Sequence, residues 1–147
     1  MRLHQRTDFA IRLLIYLGLA GSGPVSVGRV ASSFAISEHH LAKVAQRLRD
    51  LGYVRLVRGR SGGLELLRDP EDIRMGELVR QLEQHILVEC FEPATDQCRI
   101  SSACSLKRLL ERARSSFFAE LDRSTLADLI TPRRDLVRLL SIGATSS

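Results

Sequence analysis

The part of the sequence that most constrains the fold runs from residue 24 to residue 67, where two short helical patterns precede two β-prone segments. Ser26 can cap a first helix of about two turns, and Ser37 can cap a second helix that continues through Leu51 and ends at Gly52. Two short helices joined by a tight turn are typical of a helix-turn-helix, although a generic two-helix hairpin produces the same pattern.

The second helix of this pair has one apolar face and one basic face. Its apolar residues follow one another at steps of three or four, which predicts a buried stripe of Leu41, Val44, Leu48 and Leu51. The opposite face carries His39, His40, Lys43, Gln46 and Arg47. Such a basic face suits a recognition helix, which must meet the phosphates and base edges of a DNA groove.

A β-hairpin is predicted directly after the second helix. Residues 53–57 and 64–67 are β-prone, and the turn between them, RGRSGG, is rich in glycine and arginine. Its arginines can reach phosphates or enter a minor groove, as the wing of a winged helix does, whereas an ordinary hairpin would leave them solvated. The predicted DNA-binding residues are Ser26, Ser37, His39, His40, Lys43, Arg58, Arg60, Ser61 and Gly62.

Charge is unevenly divided along the 147 residues. Residues 1–68 hold 11 Lys/Arg and 4 Asp/Glu, a net charge of +7, whereas residues 69–147 hold 11 and 13, a net charge of −2. The basic part therefore favours a polyanionic partner. The apolar run at residues 9–20 is too short to span a bilayer and contains Arg12, and no signal peptide is evident. We therefore expect a cytoplasmic protein with no membrane partner.

An enzymatic role is not expected from the sequence. A cysteine nucleophile with His39, His40 or His85 as its base is conceivable. These histidines are far from the cysteines in the sequence, and no oxyanion-hole motif is present.

An iron–sulfur carrier without a DNA-binding role is disfavoured by the predicted winged helix.

All three cysteines lie within residues 89–107, at Cys90, Cys98 and Cys104. An odd number of clustered cysteines favours metal binding or redox chemistry over a disulfide framework. Structural zinc usually takes four ligands in closely spaced pairs, which this stretch lacks, whereas an iron–sulfur cluster tolerates wider spacing. An iron–sulfur cluster, a thiol redox switch and a zinc site all remain open, in that order of preference. A cluster held by three thiolates would need a fourth ligand from elsewhere.

Helices are predicted on both sides of these segments. Residues 2–20 and 69–84 each show helical periodicity, and two short helices are expected at residues 124–130 and 132–140. The longest amphipathic pattern, at residues 105–122, has one apolar stripe made of Leu106, Leu109, Leu110, Ala113, Phe117 and Leu121. We interpret this helix as a dimerisation helix, with packing on its own domain as the alternative.

The predicted fold class is mainly α: a winged helix-turn-helix with a two-stranded wing plus a long C-terminal dimerisation helix. We expect the DNA-binding domain to cover residues 1–84 and the cysteine-containing loop to cover residues 85–104. The dimerisation helix and the short C-terminal helices would cover residues 105–147, with a frayed end.

Five segments carry a resemblance to a known family. They read TDFAIRLLIYLG near the start, then ISEHHLAKVAQRLRDLGYV, VRGRSGGLELLRDP and CRISSACSLKRLLERA, and finally FFAELDRSTLADL. With these segments, residues 1–130 resemble the bacterial iron–sulfur winged-helix regulators typified by NsrR and IscR. The resemblance implies a homodimeric transcriptional repressor that binds a palindromic operator and senses nitric oxide through an iron–sulfur cluster. It implies one cluster per subunit, 4Fe–4S in preference to 2Fe–2S.

The resemblance also implies a ligand set. IscR-like members have a histidine three residues after the third cysteine, where this chain has Lys107. NsrR-like members instead use an aspartate of the first helix from the other subunit, and Asp8 stands in the matching place. The implied ligands are therefore Cys90, Cys98 and Cys104 with Asp8 of the partner subunit.

Other readings stay open at this point. Judged from the residues alone, Asp8 is only an acid favourably placed near a helix N-terminus. Iron or redox sensing through a 2Fe–2S cluster is the alternative role within the family. The family also contains a cluster-free regulator of cysteine metabolism, which the three clustered cysteines disfavour.

Overall fold

The computed structural model of the chain describes residues 2–83 and 87–143. The described helices are α1 (Gln5–Ala20), α2 (Val27–Phe34), α3 (Glu38–Asp50), α4 (Met75–Leu82), α5 (Ser105–Asp122), α6 (Leu126–Leu129) and α7 (Arg133–Leu139). The strands β1 (Val54–Val57) and β2 (Gly63–Leu66) form one antiparallel sheet. The predicted fold class, mainly helical with a two-stranded wing, is confirmed. None of the described helices is long and apolar enough to cross a membrane.

Helix α1 lies at the centre of the hydrophobic core. Of the residues predicted for its apolar face, Ala10, Leu13, Leu14 and Leu17 are buried against the rest of the core, whereas Leu3 precedes the helix and is exposed. The helix contacts α2, α3, α4, α6, α7 and β2, so most of the described elements pack around it. It begins at Gln5, three residues later than the periodicity suggested.

The two helices of the predicted helix-turn-helix are capped as expected. The Ser26 hydroxyl accepts a hydrogen bond from the backbone N–H of Arg29 at 3.2 Å, and the Ser37 hydroxyl accepts one from that of His40 at 3.4 Å. Between the helices, Ala35 adopts a left-handed conformation with φ of 53°. The tight turn between α2 and α3 is therefore confirmed.

The wing is fixed to the start of α2 by backbone pairing. Strands β1 and β2 pair from Val54 opposite Leu66 to Val57 opposite Gly63. Beyond them, Val25 and Leu64 exchange two backbone hydrogen bonds of 2.9 and 2.8 Å. A Cβ on Gly63 would lie 2.4 Å from the carbonyl oxygen of Val25, so the close approach requires a glycine.

The single helix predicted for residues 69–84 is wrong. The structure has a short 3-10 helix at Pro70–Asp72, an extended residue at Ile73, and only then α4, which ends at Leu82. The break occurs because Ile73 is paired with a distant segment, with its carbonyl oxygen accepting a hydrogen bond from the Leu126 N–H at 2.9 Å. A helix through Ile73 would lose this tertiary pairing.

Helix α5 has the predicted bounds, and it packs on α4 through a residue outside the predicted stripe. Phe118 is the one buried residue of α5, and the Arg80 guanidinium lies 4.6 Å from its ring centroid. Arg80 also donates two hydrogen bonds to the Asp122 carboxylate, at 2.7 and 2.6 Å. This face holds α5 on the winged-helix domain, together with Leu121 of the predicted stripe, which packs against the core.

The two short C-terminal helices, predicted at residues 124–130 and 132–140, are α6 and α7 and pack against α1. Leu126 is fully buried in the main core. The Arg133 guanidinium donates to the carbonyl oxygen of Leu19 at 2.8 Å, which satisfies an acceptor at the C-terminal end of α1. The described part of the C-terminus thus belongs to the same core as the helix-turn-helix.

The contact between α4 and α5 gives a prediction for Gly76. An alanine Cβ at this position would lie 1.9 Å from an Asp122 carboxylate oxygen and 3.0 Å from its backbone nitrogen. We expect Gly76→Ala to lower the free energy of unfolding by about 1–3 kcal/mol, as overpacking does elsewhere, measured by urea denaturation at fixed protein concentration. Gly28→Ala is the control, because only the flexible end of Glu38 lies near that Cβ, at 3.2 Å. Equal stability of the two variants would contradict the packing described.

Candidate functional site

The basic face of α3 is exposed as predicted. His39, His40 and Lys43 lie on the surface, whereas Leu41 and Leu48 on the opposite face are fully buried. The predicted residues at the starts of the two helices, Ser26 and Ser37, are also exposed, and their hydroxyls are engaged in capping. Helix α3 therefore presents a continuous polar surface that begins at its N-terminus.

The tip of the wing is a second basic surface. Arg58, Arg60 and Ser61 are exposed, and neither arginine forms an ion pair with any residue that the structure describes. Arg55, by contrast, is engaged by Glu65 across the sheet, with hydrogen bonds of 3.0 and 2.8 Å. The two arginines at the tip thus remain available for an external anion.

Gly62 permits the tight turn that carries these arginines. A Cβ at this position would lie 2.2 Å from the carbonyl oxygen of Val57 and 2.9 Å from that of Gly59. The Gly62 N–H also donates to the Gly59 carbonyl oxygen at 3.1 Å. The role of Gly62 is therefore to shape the turn, and it offers no side chain of its own to a ligand.

The three cysteines occupy different local environments within one loop. Cys90 lies in a short 3-10 helix at Glu89–Phe91 and is half-buried, whereas Cys98 is exposed. Cys104 is the N-cap of α5, and its sulfur accepts a hydrogen bond from the Lys107 N–H at 3.3 Å. All three are free thiols, so no disulfide competes for them. Burial raises the pKa of the Cys90 thiol, with nearby Lys107 opposing this effect.

The cysteines are not gathered into a ready-made metal site. Within residues 2–83 and 87–143, no three His, Cys, Asp or Glu side chains converge closely enough to hold a metal ion. The donor set nevertheless fits an iron–sulfur cluster in its chemistry, since three thiols lie on one loop with no disulfide between them. Binding a cluster would therefore require the loop to tighten around it.

Asp96 organises the loop between the first and second cysteines. Its carboxylate accepts a hydrogen bond from the Ser101 hydroxyl at 2.7 Å and one from the Cys98 N–H at 3.0 Å, and the Lys107 ammonium lies 3.9 Å away. These partners, the Ser101 bond foremost, hold the pKa of the Asp96 carboxyl below its ordinary value. The sequence analysis missed this residue, although an aspartate two positions before Cys98 is a common signal for such a turn.

Asp8 lies on the outer side of α1, with its side chain 47% exposed. It pairs with Arg12, one helical turn further on, at 2.7 Å. The Arg12 guanidinium lies 5.9 Å from the ring centroid of Phe34, the last residue of α2. The sequence analysis did not mention Arg12 as a partner, although a spacing of four residues on a helix favours such a pair.

The first part of the predicted dimerisation stripe on α5 is uncovered, whereas Leu121 at its end packs against the core. The side chains of Leu106 and Leu109 are 59% and 52% exposed. Beside the stripe, a groove of about 620 Å³ runs between α5 and the ends of α1 and α4. Its apolar lining includes Leu3, Leu110 and Phe117. An exposed apolar helix face next to an apolar groove is typical of an interface with a partner.

The chain is similar to known transcriptional regulators. A family described as "Rrf2: Iron-dependent Transcriptional regulator" matches residues 3–132. The HTH-type transcriptional regulator NsrR of Bacillus subtilis (strain 168) is 42% identical over 144 residues, which cover 97% of this chain and 99% of that protein.

Two of the solved structures that resemble this fold cover about nine-tenths of the chain. The structure of T. potens IscR matches with a TM-score of 0.73 and 28% identity, over 90% of this chain and 88% of that one. The structure of CymR, the global cysteine regulator of B. subtilis, matches with a TM-score of 0.71 and 29% identity, over 88% and 95%.

The bonds of Asp96 give a prediction for the loop. We expect Asp96→Ala to accelerate hydrogen exchange of the Cys98 amide severalfold, because that N–H loses a charged acceptor. In the unmodified protein, the pKa of Asp96 is lowered on folding. The protection is therefore present above the ordinary aspartate pKa of about 4 and is lost as the pH falls through the lowered value. Glu92→Ala removes the same charge from the same loop and should leave the Cys98 amide unchanged; equal acceleration by both variants would refute this role.

Proposed function

The chain belongs to the Rrf2 family of transcriptional regulators, and from this premise we propose that it is a homodimeric repressor that senses nitric oxide through an iron–sulfur cluster. As a member of this family it is a DNA-binding transcriptional regulator. The observation that carries the finer proposal is the position of three free thiols in a loop that begins just after α4 and ends at the cap of α5. Chemistry at this loop adjoins both the winged-helix domain and the proposed dimer helix.

The DNA-binding part of the proposal uses the two exposed basic surfaces. The start of α3 would enter the major groove, with His39, His40 and Lys43 facing bases and phosphates. Arg58 and Arg60 at the tip of the wing would hold phosphates or the adjacent minor groove. Ser26, Ser37, Ser61 and Gly62 would line the same surface. Two such units related by a dimer axis would read a palindromic operator.

The dimer part rests on the uncovered stripe of α5. Leu106 and Leu109 are exposed in the single chain although the intrachain contact of α5 is already supplied by Phe118. A second copy is the occupant that fits best, because a symmetric dimer can bury the same apolar face of both chains at once. Burial of the α5 face of both chains would hold the two DNA-binding domains in a fixed relative orientation.

The proposed cluster ligands are Cys90, Cys98, Cys104 and Asp8 of the partner subunit, with one 4Fe–4S cluster per subunit. When bound, the cluster would supply iron that reacts with nitric oxide. Lys107 does not replace the missing fourth thiolate, since its backbone N–H bonds to Cys104 and its ammonium points to Asp96. The resemblance implies that the fourth ligand comes from outside the loop, from Asp8 of the partner subunit.

Asp8 is suited to be such a ligand because little holds it in place. Its pair with Arg12 leaves both side chains more than a third exposed, and exposed pairs of this kind contribute about 0–1 kcal/mol. The carboxylate can therefore leave Arg12 at small cost. A carboxylate is also a harder and weaker ligand for cluster iron than a thiolate, which makes this position the natural point of attack for nitric oxide.

Release of Asp8 would be communicated through α1 to the DNA-binding surface. Helix α1 packs against α3 over much of its length, and Arg12 links the Asp8 turn to Phe34 at the end of α2. A change in the orientation of α1 would alter the relation between the two recognition helices, which must match successive major grooves about 34 Å apart. The repressor would then leave its operator. Such a protein would act in the cytoplasm.

Iron or redox sensing through a 2Fe–2S cluster is the second candidate function. It is favoured by the family description as iron-dependent and by the likeness to the structure of T. potens IscR. The two candidates share the cysteine ligands and differ in the cluster and in the signal, so spectroscopy separates them.

The uncovered stripe gives a prediction for assembly. We expect Leu109→Glu to convert the dimer to a monomer, because a charge would be buried at the centre of the proposed interface. Sedimentation equilibrium measures the change. Leu139→Glu is the control, since Leu139 is even more exposed, at 71%, but lies on α7 away from α5. A Leu109→Glu protein that remains dimeric would exclude this interface.

The proposed fourth ligand gives a prediction for the cluster. In anaerobically purified Asp8→Ala protein, we expect altered Mössbauer and absorbance spectra and a changed response to nitric oxide titration. Asp135→Ala is the matched control, because Asp135 also pairs with an arginine one turn away, Arg138 at 3.2 Å, on an exposed helix surface. Unaltered spectra and response in the Asp8 variant would exclude Asp8 of the partner subunit as a cluster ligand. A 2Fe–2S spectrum in the wild type would favour the second candidate function.

A further inference from the structure

A basic groove adjoins the predicted DNA-binding surface and shares two of its residues. It has a volume of about 640 Å³ and runs between the first turns of α1, the side of α3 and the end of α4. His40 and Lys43 of the recognition helix form part of its wall, so the groove is continuous with the predicted DNA surface. Phe9, Val44 and Leu82 supply an apolar lining.

The charge of this groove is largely uncompensated. Arg6, Lys43 and Arg47 line it, and none of the three forms an ion pair with any residue in the described parts of the chain. Toward the described residues, the Arg47 guanidinium donates a long hydrogen bond of 3.5 Å to the carbonyl oxygen of Gln81. Among the described lining residues, the single acid is Glu83, which is already engaged by His4 through hydrogen bonds of 2.8 and 2.5 Å.

Two cations of the groove lie together on α3. His40, Lys43 and Arg47 form a row along one side of this helix, and the two cations, Lys43 and Arg47, are about 6 Å apart along its axis. Both can therefore face the same stretch of DNA backbone. Arg6 faces the row across the groove from α1.

We propose that this groove holds the DNA sugar–phosphate backbone next to the major groove entered by α3, and that Arg6 on α1 contacts a phosphate there. The inference rests on the proposed placement of α3 in the major groove. It adds α1 to the elements that touch DNA through Arg6, which the sequence pattern did not indicate. It also gives Arg47, on the predicted basic face of α3, a phosphate contact.

This placement shortens the path from the cluster to DNA. Arg6 and Asp8 lie two residues apart in the first turns of α1. Any movement of α1 that follows the loss of Asp8 from the partner's site would also move Arg6 relative to the backbone. Phosphate contact by Arg6 would therefore weaken together with the shift of α1.

The test compares variants that lose the same charge at different places. Binding of wild type, Arg6→Ala, Arg6→Lys and Arg134→Ala is measured by fluorescence anisotropy across a salt series, on a duplex selected by the wild-type protein from a random library. Arg134 is the control, because it is exposed on α7 and forms no ion pair with a described residue. Lys43→Ala serves as the reference for loss of a contact on α3.

For Arg6→Ala, we expect the slope of log affinity against log salt to fall by about 0.9, which corresponds to roughly eightfold weaker binding at 0.1 M salt. Arg6→Lys should keep most of the slope, and Arg134→Ala should keep all of it. If the phosphate that Arg6 contacts is replaced by a methylphosphonate, wild-type binding should weaken while Arg6→Ala binding should not weaken further.

Three results would overturn the inference. One is a wild-type salt slope in Arg6→Ala, and another is equal weakening of both proteins by every methylphosphonate. In a third, inorganic phosphate at constant ionic strength competes in a manner that depends on Arg6, while the salt slope of DNA binding does not depend on Arg6. The groove would then be a site for small anions. Failure of the proposed function looks different, because the wild-type protein would then select no DNA sequence at all.

Discussion

The burial of α1 is the constraint on which the rest of the structure depends. The helix contributes much of the hydrophobic core, and the recognition helix, the wing and the C-terminal helices all contact it. Both of its ends are also tied down by polar bonds. His4 at the N-cap bonds to Glu83 at the end of α4, and Arg133 satisfies the Leu19 carbonyl oxygen at the other end. A helix held in this way moves as a unit, so a force applied at one turn is felt along its length.

The residues proposed to bind the cluster are held much more loosely than this core. Asp8 has one exposed partner, Cys98 is exposed, and the cysteine loop is ordered chiefly by local bonds such as those of Asp96. Functional segments that must move are drawn from the less stable parts of a protein, since opening them costs little. The contrast between a rigid α1 and a weakly held ligand on its surface is what the proposed sensing mechanism requires.

Elements that depend on interactions between residues close together in the sequence were predicted, and elements that depend on distant residues were not. The helix-turn-helix and the wing were predictable because caps, stop signals and apolar spacing all act within a few residues. The break at Ile73 was not, because its cause is pairing with Leu126 more than fifty positions away. Phe118 was not predicted for a related reason. Helix α5 has apolar contacts on two sides, whereas its sequence pattern was interpreted as a single apolar stripe. The proposed cluster ligands could be chosen by residue type and resemblance, but their arrangement depends on a second chain and on the cluster itself.

Among the described residues, the three cysteines do not converge on a ready-made site, and this arrangement bears on the proposed regulation. A preassembled cage would bind a cluster tightly, and loss of the cluster would change little else in the protein. A loop that must tighten uses part of the binding free energy to order itself, so binding and folding of the loop are coupled. Because the loop ends at Cys104, the cap of α5, its order is transmitted to the start of the helix that carries the exposed stripe. Cluster loss would therefore loosen the proposed dimer contact and the α1 contact together, which is how one chemical event at the loop can alter the geometry of two DNA-binding domains.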